Sequence, residues 1–486
     1  MAHGKARPSR HKYWLLALHA ALFLVGLTVR LIGLMDAPPI TDEVEGMWLA
    51  HDVARGRVLP VVDYPSTYYG SFYIYLLAGF YLVVGSSFDA ARLLTAIFGA
   101  LTPIAVFWLA SVAAPHVGAR MDRFSASFLA ALLMLTSATH VAIDSHIFWP
   151  TSFAPLLMAL LLGTYIKGLQ PGYERWLIAT GVLAALLLQA TPHIVAAFPG
   201  LLAHYIADGK RRARLLRHLA DPWPYLAAAV FFLVYSPVIL YNLLSGGGSL
   251  QSATQYTGSY AFELVNGPGD YLRNIRELAT ALVRVVGGNL TTVIPAWEYF
   301  QLATSGLLLL ASGWWCWKRG LRSPVFLVAS TALLMPIYNK GYYAGYPIQN
   351  RYLATLLPAI YCMIALFVFG ALLVWAERMG TRLMAQRGSL MARSGLALVL
   401  VLLVLTPVFS TLNYYRLVEE RTLTNRELIR MFEELERSRP PSEVVALDPD
   451  WLKTNVGPGT TLLMTAQIWM ELRGRQYSPV RQRKGR

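Results

Sequence analysis

The carboxylates that follow the first apolar segment are the residues of this chain best placed to do chemistry. Asp42 and Glu43 follow the string 37–40, with Thr41 between, and the two prolines of that string restrict the chain as it leaves the apolar segment. A carboxylate partly desolvated at a membrane surface has a raised pKa and can accept a proton from a hydroxyl group, as a general base does. Asp42 is also suited to cap a helix that begins near Val44, and the two roles are compatible. We therefore predict a catalytic pair, with Asp42 as the base and Glu43 as its companion.

Polar and aromatic residues recur later in the same loop and in two other loops. Aromatic faces with hydroxyl tips suit sugar rings, and an arginine at the mouth of an apolar segment suits bidentate binding of a phosphate. The alternatives are an interfacial aromatic belt and an arginine that reaches up to lipid phosphates. The predicted substrate-binding residues are Asp63, Tyr64, Tyr69, Asp144, His146, Lys340, Tyr343, Gln349 and Arg351.

A metal site is a further possibility. Asp144 and His146 stand two residues apart and, together with Asp42, could ligate a divalent metal ion. Ligands without a fixed spacing are also typical of a hydrogen-bonded loop histidine, so the presence of a metal stays open. The chain has two cysteines, Cys316 and Cys362, both inside apolar segments. A disulfide framework and a cysteine-based metal site are therefore excluded.

The composition indicates a polytopic membrane protein. Of 486 residues, 56% are hydrophobic and 14% are charged, which is too apolar for a soluble globular domain. The net charge of +15 would indicate nucleic acid in a soluble protein. Here the lysines and arginines fall in clusters between apolar runs, as topology determinants do, so a nucleic-acid partner is not expected.

The apolar runs predict an all-α fold. A membrane crossing needs about 20 apolar residues. The run 71–85 is shorter and rich in tyrosine, which favours a helix lying flat in the interface of the first outer loop. The eleven predicted spans are 13–34, 93–113, 124–141, 150–167, 176–191, 194–207, 223–243, 302–316, 323–337, 352–375 and 395–413.

The positive-inside rule predicts the orientation. The basic N-terminus and the cluster 210–217 must share the cytoplasmic side, which requires an even number of crossings between them. Six crossings satisfy this condition when 71–85 lies flat. We therefore predict an inner or plasma membrane protein with its N-terminus inside and its C-terminus outside.

Two parts are predicted, a transmembrane domain over 1–413 and a small extracytoplasmic domain or tail over 414–486. The transmembrane domain has an acidic outer loop, 35–92, and a long outer loop, 244–301. A structureless loop of that length is uncommon without a function. In the tail, a helix followed by short strands predicts a small α/β appendage.

The order of these features resembles the membrane glycosyltransferases of the C-type fold that use polyprenyl-phosphate sugars. That group includes protein O-mannosyltransferases and the aminoarabinose and galacturonic acid transferases that act on lipid A. The resemblance covers roughly residues 13–375. It rests on Asp42-Glu43 after the first span, the flat helix 71–85, Phe88-Asp89-Ala90-Ala91-Arg92-Leu93 and Asn350-Arg351-Tyr352-Leu353.

The resemblance implies transfer of a single sugar, with inversion, from a polyprenyl-phosphate donor to a lipid, glycan or protein acceptor on the outer leaflet or in the periplasm. By position it makes Asp42 the catalytic base, Glu43 its companion and Arg351 a ligand of the donor phosphate. No soluble nucleotide is needed, because the donor's phosphodiester carries the transfer potential. Two alternatives remain, a transporter or flippase of a lipid-linked sugar and a non-catalytic subunit of an envelope assembly.

Overall fold

The fold is helical throughout the part of the chain that the structure describes. A single isolated bridge joins residues 62 and 70, and no strand occurs among the described residues. The prediction of a mostly helical protein is therefore confirmed. This computed structural model describes residues 10–34, 41–63, 67–118, 122–207, 221–255, 265, 267–288, 290, 295–338, 351–372, 401 and 403–416.

The described residues up to 207 form eight α-helices, with short 3-10 or π turns at several of their ends. The π turn is His140–Asp144, and the 3-10 turns include Pro150–Phe153 and Pro192–Ala196. The helices are α1 Arg10–Leu31, α2 Thr41–Ala54, α3 Phe72–Val84, α4 Phe88–Ala113, α5 Arg123–Thr136, α6 Ala154–Gly168, α7 Trp176–Ala190 and α8 Ala197–Ala207.

The second half continues with helices of very different lengths. A last helical stretch, 403–416, ends the described part of the chain. The helices before it are α9 Pro222–Leu244, α10 Gly248–Gln255, α11 Pro268–Gly287, α12 Pro295–Arg319, α13 Ser323–Tyr338, α14 Arg351–Ala354 and α15 Leu357–Phe367.

Several helices are apolar enough to cross a membrane. By length and composition, four described segments qualify on their own: Tyr13–Leu31, Phe88–His116, Pro150–Gly168 and Pro222–Leu244. Shorter apolar helices accompany them, and α3 is among these. At 13 residues, α3 spans about 20 Å, less than the hydrocarbon core of a bilayer. The chain is a multi-pass membrane protein, while the flat position of α3 and the count of eleven crossings stay predictions.

Helix α4 is the centre of the packing and contacts α1, α5 and α6. Its start is fixed by Ser87, whose side chain accepts a 3.0 Å hydrogen bond from the Ala90 amide. Small residues let helices approach closely, as is typical of membrane bundles. At Gly26 in α1, an added Cβ would lie 3.4 Å from the Ala100 backbone of α4. The absence of a side chain at Gly26 thus allows α1 to pack closely against α4.

The segment 244–301, predicted to be a long outer loop, is not structureless in its described part. It contains α10 and the amphipathic helix α11, in which Leu278, Leu282 and Val286 are buried. Arg273 and Arg284 on α11 are half-buried or exposed and form ion pairs. A search for continuous apolar runs cannot detect such a helix, because polar residues interrupt its apolar face. The predicted α/β tail lies outside the described residues.

Candidate functional site

A backbone pairing brings two of the predicted site residues together. The Asp63 amide donates a 3.0 Å hydrogen bond to the carbonyl oxygen of Tyr69, next to the bridge between residues 62 and 70. The Gly70 amide donates a second bond, also of 3.0 Å, to the carbonyl oxygen of Gln189 in α7. Asp63 and Tyr69 are both buried. The pairing therefore fixes them beside each other and against α7.

Gly70 leaves no room for a side chain. A Cβ at this position would lie 2.6 Å from Cβ of Gln189, whose side-chain amide is held by a 3.0 Å bond to the Val234 carbonyl. We expect Gly70→Ala to lower the free energy of unfolding by about 1–3 kcal/mol, because an extra methyl must push the backbone away. Thermal unfolding measures the effect. Gly79→Ala is the control, since a Cβ there meets no atom within 4 Å, and equal melting temperatures for both variants would contradict the close approach.

Arg351, the first residue of α14, lies flat against aromatic rings. The guanidinium carbon is 3.7 Å from the ring centroid of Trp149 and 4.7 Å from that of Tyr352. One terminal nitrogen, Nη2, donates a 2.9 Å hydrogen bond to the Tyr352 hydroxyl. Stacking of this kind fixes the plane of the guanidinium while its N–H groups point along that plane. The arginine is therefore pre-oriented as a donor of paired hydrogen bonds.

Arg351 shares a small polar recess with two carboxylates. Glu45 of α2, Asp63 and Tyr69 line this recess together with Arg351 and Trp149. Its volume is about 10 Å³, room for about one water molecule. The recess thus joins the helix that carries Asp42 to the loop holding Asp63 and to the start of α14.

Asp144 is fully buried at the end of the π turn His140–Asp144. Burial raises the pKa of its carboxyl group well above the usual range, and the positive charges of Arg351 and Arg30 oppose that shift. Among the described residues, neither carboxyl oxygen of Asp144 has a hydrogen-bond partner. Burial is therefore the main influence on its charge state, and the two arginines oppose it.

Arg30 lies at the end of α1 and is also fully buried. Its Nε donates a 3.0 Å hydrogen bond to the Ser145 hydroxyl, and its Nη1 donates one of 3.0 Å to the Gly26 carbonyl. Gly99 of α4 makes room for this contact, because an added Cβ would lie 2.6 Å from the Arg30 Nε. Arg30 therefore connects α1 to the loop after the π turn.

His146 faces the last described helix. Its imidazole stacks on the ring of Tyr415 with centroids 5.3 Å apart, and the Tyr415 hydroxyl is hydrogen-bonded to Nδ1. Burial lowers the pKa of His146 to about 3, with the charges of Arg92 and Arg30 adding to the shift. The ring is therefore neutral at physiological pH. Within the described residues, no group of three or more His, Cys, Asp or Glu side chains could hold a metal ion.

Glu43 lies in an internal ion pair with Arg92 of α4. Nε and Nη2 of Arg92 each donate a 2.8 Å hydrogen bond to one carboxylate oxygen of Glu43, and both side chains are fully buried. The Phe148 amide adds a third bond to Glu43, of 3.0 Å. Nη1 of Arg92 donates to the Leu34 carbonyl at 2.9 Å. This cluster ties α2 to α4, to the end of the first span and to the loop after the π turn.

The structure brings some of the predicted site residues together and separates others. Asp63, Tyr69 and Arg351 meet in the recess, and Asp144 is buried where it interacts with the charge of Arg351. Glu43 and His146 instead contact internal partners, Arg92 and Tyr415. Asp42 is the second residue of α2, three positions before Glu45. The remaining predicted residues, Tyr64, Lys340, Tyr343 and Gln349, lie outside the described part of the chain.

Sequence reasoning missed four residues that shape the site. Arg30 and Arg92 are ionisable residues at the ends of apolar segments, which is itself a signal of function. Glu45 follows Asp42 by three positions, and in sequence this spacing is that of a helix cap rather than of a binding site. Trp149 adjoins the predicted pair Asp144 and His146, but nothing in the sequence links its ring to Arg351, about two hundred positions away.

The fold is similar to that of two solved structures of one protein. ArnT from Cupriavidus metallidurans bound to undecaprenyl phosphate superposes with a TM-score of 0.55 at 14% identity, covering 94% of this chain and 88% of that one. Its apo form gives a TM-score of 0.54 at 14% identity, covering 95% of this chain and 89% of that one. The chain has the C-type glycosyltransferase fold. The resemblance predicted from sequence is thereby confirmed.

Two further comparisons concern the sequence and a more distant structure. Residues 71–241 match the sequence model of the family described as dolichyl-phosphate-mannose-protein mannosyltransferase, which covers about a third of the chain. The oligosaccharyltransferase of Archaeoglobus fulgidus, tethered to an acceptor peptide, has a TM-score of 0.49 at 15% identity, covering 93% of this chain and 60% of that one. No curated protein matches the chain by sequence.

Proposed function

We propose that the chain is an inverting glycosyltransferase that moves one sugar from a polyprenyl-phosphate donor to an acceptor hydroxyl at the outer face of the membrane. The observation that carries the proposal is the recess in which Arg351 meets Glu45 and Asp63. The reaction needs a fixed cation to hold the leaving phosphate and a carboxylate to receive the proton of the acceptor, and the recess places both kinds of group together. The fold shared with ArnT bound to undecaprenyl phosphate supports a lipid phosphate as the ligand.

Arg351 is the proposed ligand of the donor phosphate. Its guanidinium is stacked on Trp149, so its paired N–H groups meet a phosphate at little further loss of side-chain freedom. As the bond between the anomeric carbon and the phosphate oxygen breaks, the leaving polyprenyl phosphate gains negative charge, and Arg351 stabilises it. Lys340, Tyr343, Gln349 and Tyr64 remain predicted substrate contacts on the basis of sequence alone.

Asp42 is the proposed general base. It precedes Glu45 by three positions in α2, and residues so spaced share a face of a helix. The acceptor oxygen attacks the anomeric carbon on the side opposite the phosphate, which inverts that centre, and its proton passes to Asp42. The new glycosidic bond replaces the bond to phosphate, so the step needs no oxidant, nucleotide or water.

Glu43 and Asp144 have supporting roles in this proposal. Glu43 is a positioning residue, because its ion pair with Arg92 fixes the first turn of α2 and so the place of Asp42. The charge of Arg351 opposes the rise in the pKa of Asp144, so the protonation state of Asp144 in turn influences how strongly the arginine attracts a phosphate. The recess holds about one water molecule as it stands, so donor binding must open it.

Mass spectrometry of a deletion strain tests the proposal. Loss of the gene is expected to cause accumulation of one polyprenyl-phosphate sugar in lipid extracts and loss of one sugar residue from a surface lipid, glycan or protein. Complementation with the wild-type chain must reverse both changes, and complementation with Asp42→Asn at equal protein level must reverse neither. Rescue by Asp42→Asn would contradict the assignment of Asp42 as the base, and a deletion strain that accumulates no polyprenyl-phosphate sugar would contradict sugar transfer.

A further inference from the structure

An apolar groove separate from the polar recess lies between α12 and α13. Its volume is about 590 Å³, within the usual range for small-molecule sites. The lining side chains are all apolar and come from α11, α12, α13 and Met363 of α15. The groove shares no lining residue with the recess. It is therefore a second, chemically different candidate site.

Glycine and tryptophan residues shape one end of the groove. At Gly313 in α12, an added Cβ would meet no heavy atom within 4 Å, so the groove is open at this point. Trp314 and Trp317 continue the lining toward the turn that joins α12 to α13, and both are exposed. Tryptophan is enriched where a protein meets the interface between lipid and water. This end of the groove is therefore its mouth.

Two cations lie over the tryptophans of the mouth. Nζ of Lys318 is 4.5 Å from the ring centroid of Trp314, and the guanidinium carbon of Arg322 is 5.3 Å from that of Trp317. In the described part of the chain, the arginines Arg273 and Arg284 of α11 form ion pairs with carboxylates, whereas Lys318 and Arg322 form none. The mouth is therefore positively charged and the groove beneath it is apolar. These two features match the headgroup and the acyl chain of an anionic lipid.

The mouth and the recess lie at opposite ends of α13. At its far end, the Tyr338 hydroxyl donates a 2.6 Å hydrogen bond to the carbonyl of His193, whose ring centroid is 4.4 Å from that of Tyr352. Tyr352 adjoins Arg351 of the recess. The 16 residues of α13 span about 24 Å. A lipid whose phosphate lies at the mouth therefore belongs to the other leaflet from a donor bound at Arg351.

We propose that this groove binds one acyl chain of an anionic phospholipid, with the lipid phosphate held by Lys318 and Arg322. The acyl chain lies along Gly313 and Trp317, and the tryptophan rings mark the boundary between chain and headgroup. This site is independent of the proposed sugar transfer, because it uses none of the residues of the recess. By the predicted orientation it faces the cytoplasmic leaflet.

Native mass spectrometry of the full-length protein tests the site. The protein is reconstituted in nanodiscs of phosphatidylcholine with phosphatidylglycerol, released, and examined for retained lipid. The two test variants are Gly313→Phe, which fills the groove, and Lys318→Gln with Arg322→Gln, which removes the charge of the mouth. The matched controls are Gly79→Phe, at an exposed helical glycine, and Lys167→Gln, whose ammonium lies 4.3 Å from the ring centroid of Trp176.

Wild type and both controls are expected to retain phosphatidylglycerol in preference to phosphatidylcholine. The charge variant is expected to lose that preference by at least tenfold, and Gly313→Phe to retain neither lipid. Lys318 and Arg322 are exposed, so the charge variant tests the site even if Gly313→Phe does not fold. Unchanged retention in the charge variant overturns the proposal, as does displacement of the retained lipid by undecaprenyl phosphate added in equal amount.

Discussion

The Asp42→Asn variant is expected to bind the sugar donor and to transfer its sugar about 10²- to 10⁴-fold more slowly, the usual effect of losing a general base. Asparagine has nearly the same shape as aspartate but cannot take the proton of the acceptor hydroxyl. Because Arg351 is untouched, the affinity for the donor phosphate should not change. Turnover of purified protein with a radiolabelled polyprenyl-phosphate sugar measures the rate, and the fall should appear in kcat rather than in KM for the donor.

The matched control for this variant is Asp52→Asn in the last turn of α2. Asp52 forms a 3.0 Å ion pair with the exposed Arg57 and lies more than two helical turns from Asp42. It is expected to leave turnover within about twofold of wild type, since an exposed ion pair has little effect on the helix. Asp42→Asn with wild-type turnover would exclude Asp42 as the base and would leave Glu45 and Asp63 as the candidate carboxylates.

The second large effect concerns the buried pair of Glu43 and Arg92. Replacing Arg92 by methionine is expected to lower the free energy of unfolding by about 3–5 kcal/mol, because Glu43 is left as a fully buried carboxylate without its cation. The loss also frees the first turn of α2, so sugar transfer should fall even in the fraction that stays folded. Thermal unfolding in detergent measures the first effect, and turnover per folded molecule measures the second.

Two further variants distinguish the effect of breaking the buried ion pair from the effect of removing any arginine. Replacing both members, with Glu43→Leu and Arg92→Met, should be less destabilising than Arg92→Met alone, because no buried charge is left unpaired. Arg57→Met breaks the exposed ion pair with Asp52 and should change stability by less than about 1 kcal/mol. Equal melting temperatures for Arg92→Met and Arg57→Met would show that the buried pair does not hold α2 in place.

Long apolar runs allowed most helices to be predicted, but not all of their ends. The span predicted at 93–113 begins at Phe88 in the structure, because Ser87 caps the helix and an acidic residue, Asp89, is tolerated in its first turn. The segment predicted at 194–207 is a 3-10 turn followed by the 11-residue α8. Proline and the sharp turn it starts shorten that helix, which hydropathy alone does not register.

The sequence allowed several polar residues of the site to be chosen, but not the contacts that they make with one another. Arg351, Asp63 and Tyr69 were proposed from their types, because an arginine suits a phosphate and polar and aromatic side chains suit a sugar. Their meeting in one recess depends on the packing of α2, α7 and α14, which no local pattern specifies. Glu43 and Arg92 illustrate the same point, since 49 positions separate two residues that form one ion pair. Without the structure, Glu43 was assigned to the catalytic pair rather than to the support of α2.

Binding of undecaprenyl phosphate without a sugar tests the central claim most directly, because it isolates the contact between Arg351 and the donor phosphate. The ligand is titrated into wild type, Arg351→Gln, Asp42→Asn and Arg276→Gln, the last being an exposed arginine on α11 outside the recess. We expect wild type, Asp42→Asn and Arg276→Gln to bind with equal affinity. Arg351→Gln should bind at least tenfold more weakly, because it loses one charged hydrogen-bonded contact with the phosphate. Wild-type affinity in Arg351→Gln would contradict the assignment of the recess as the phosphate site.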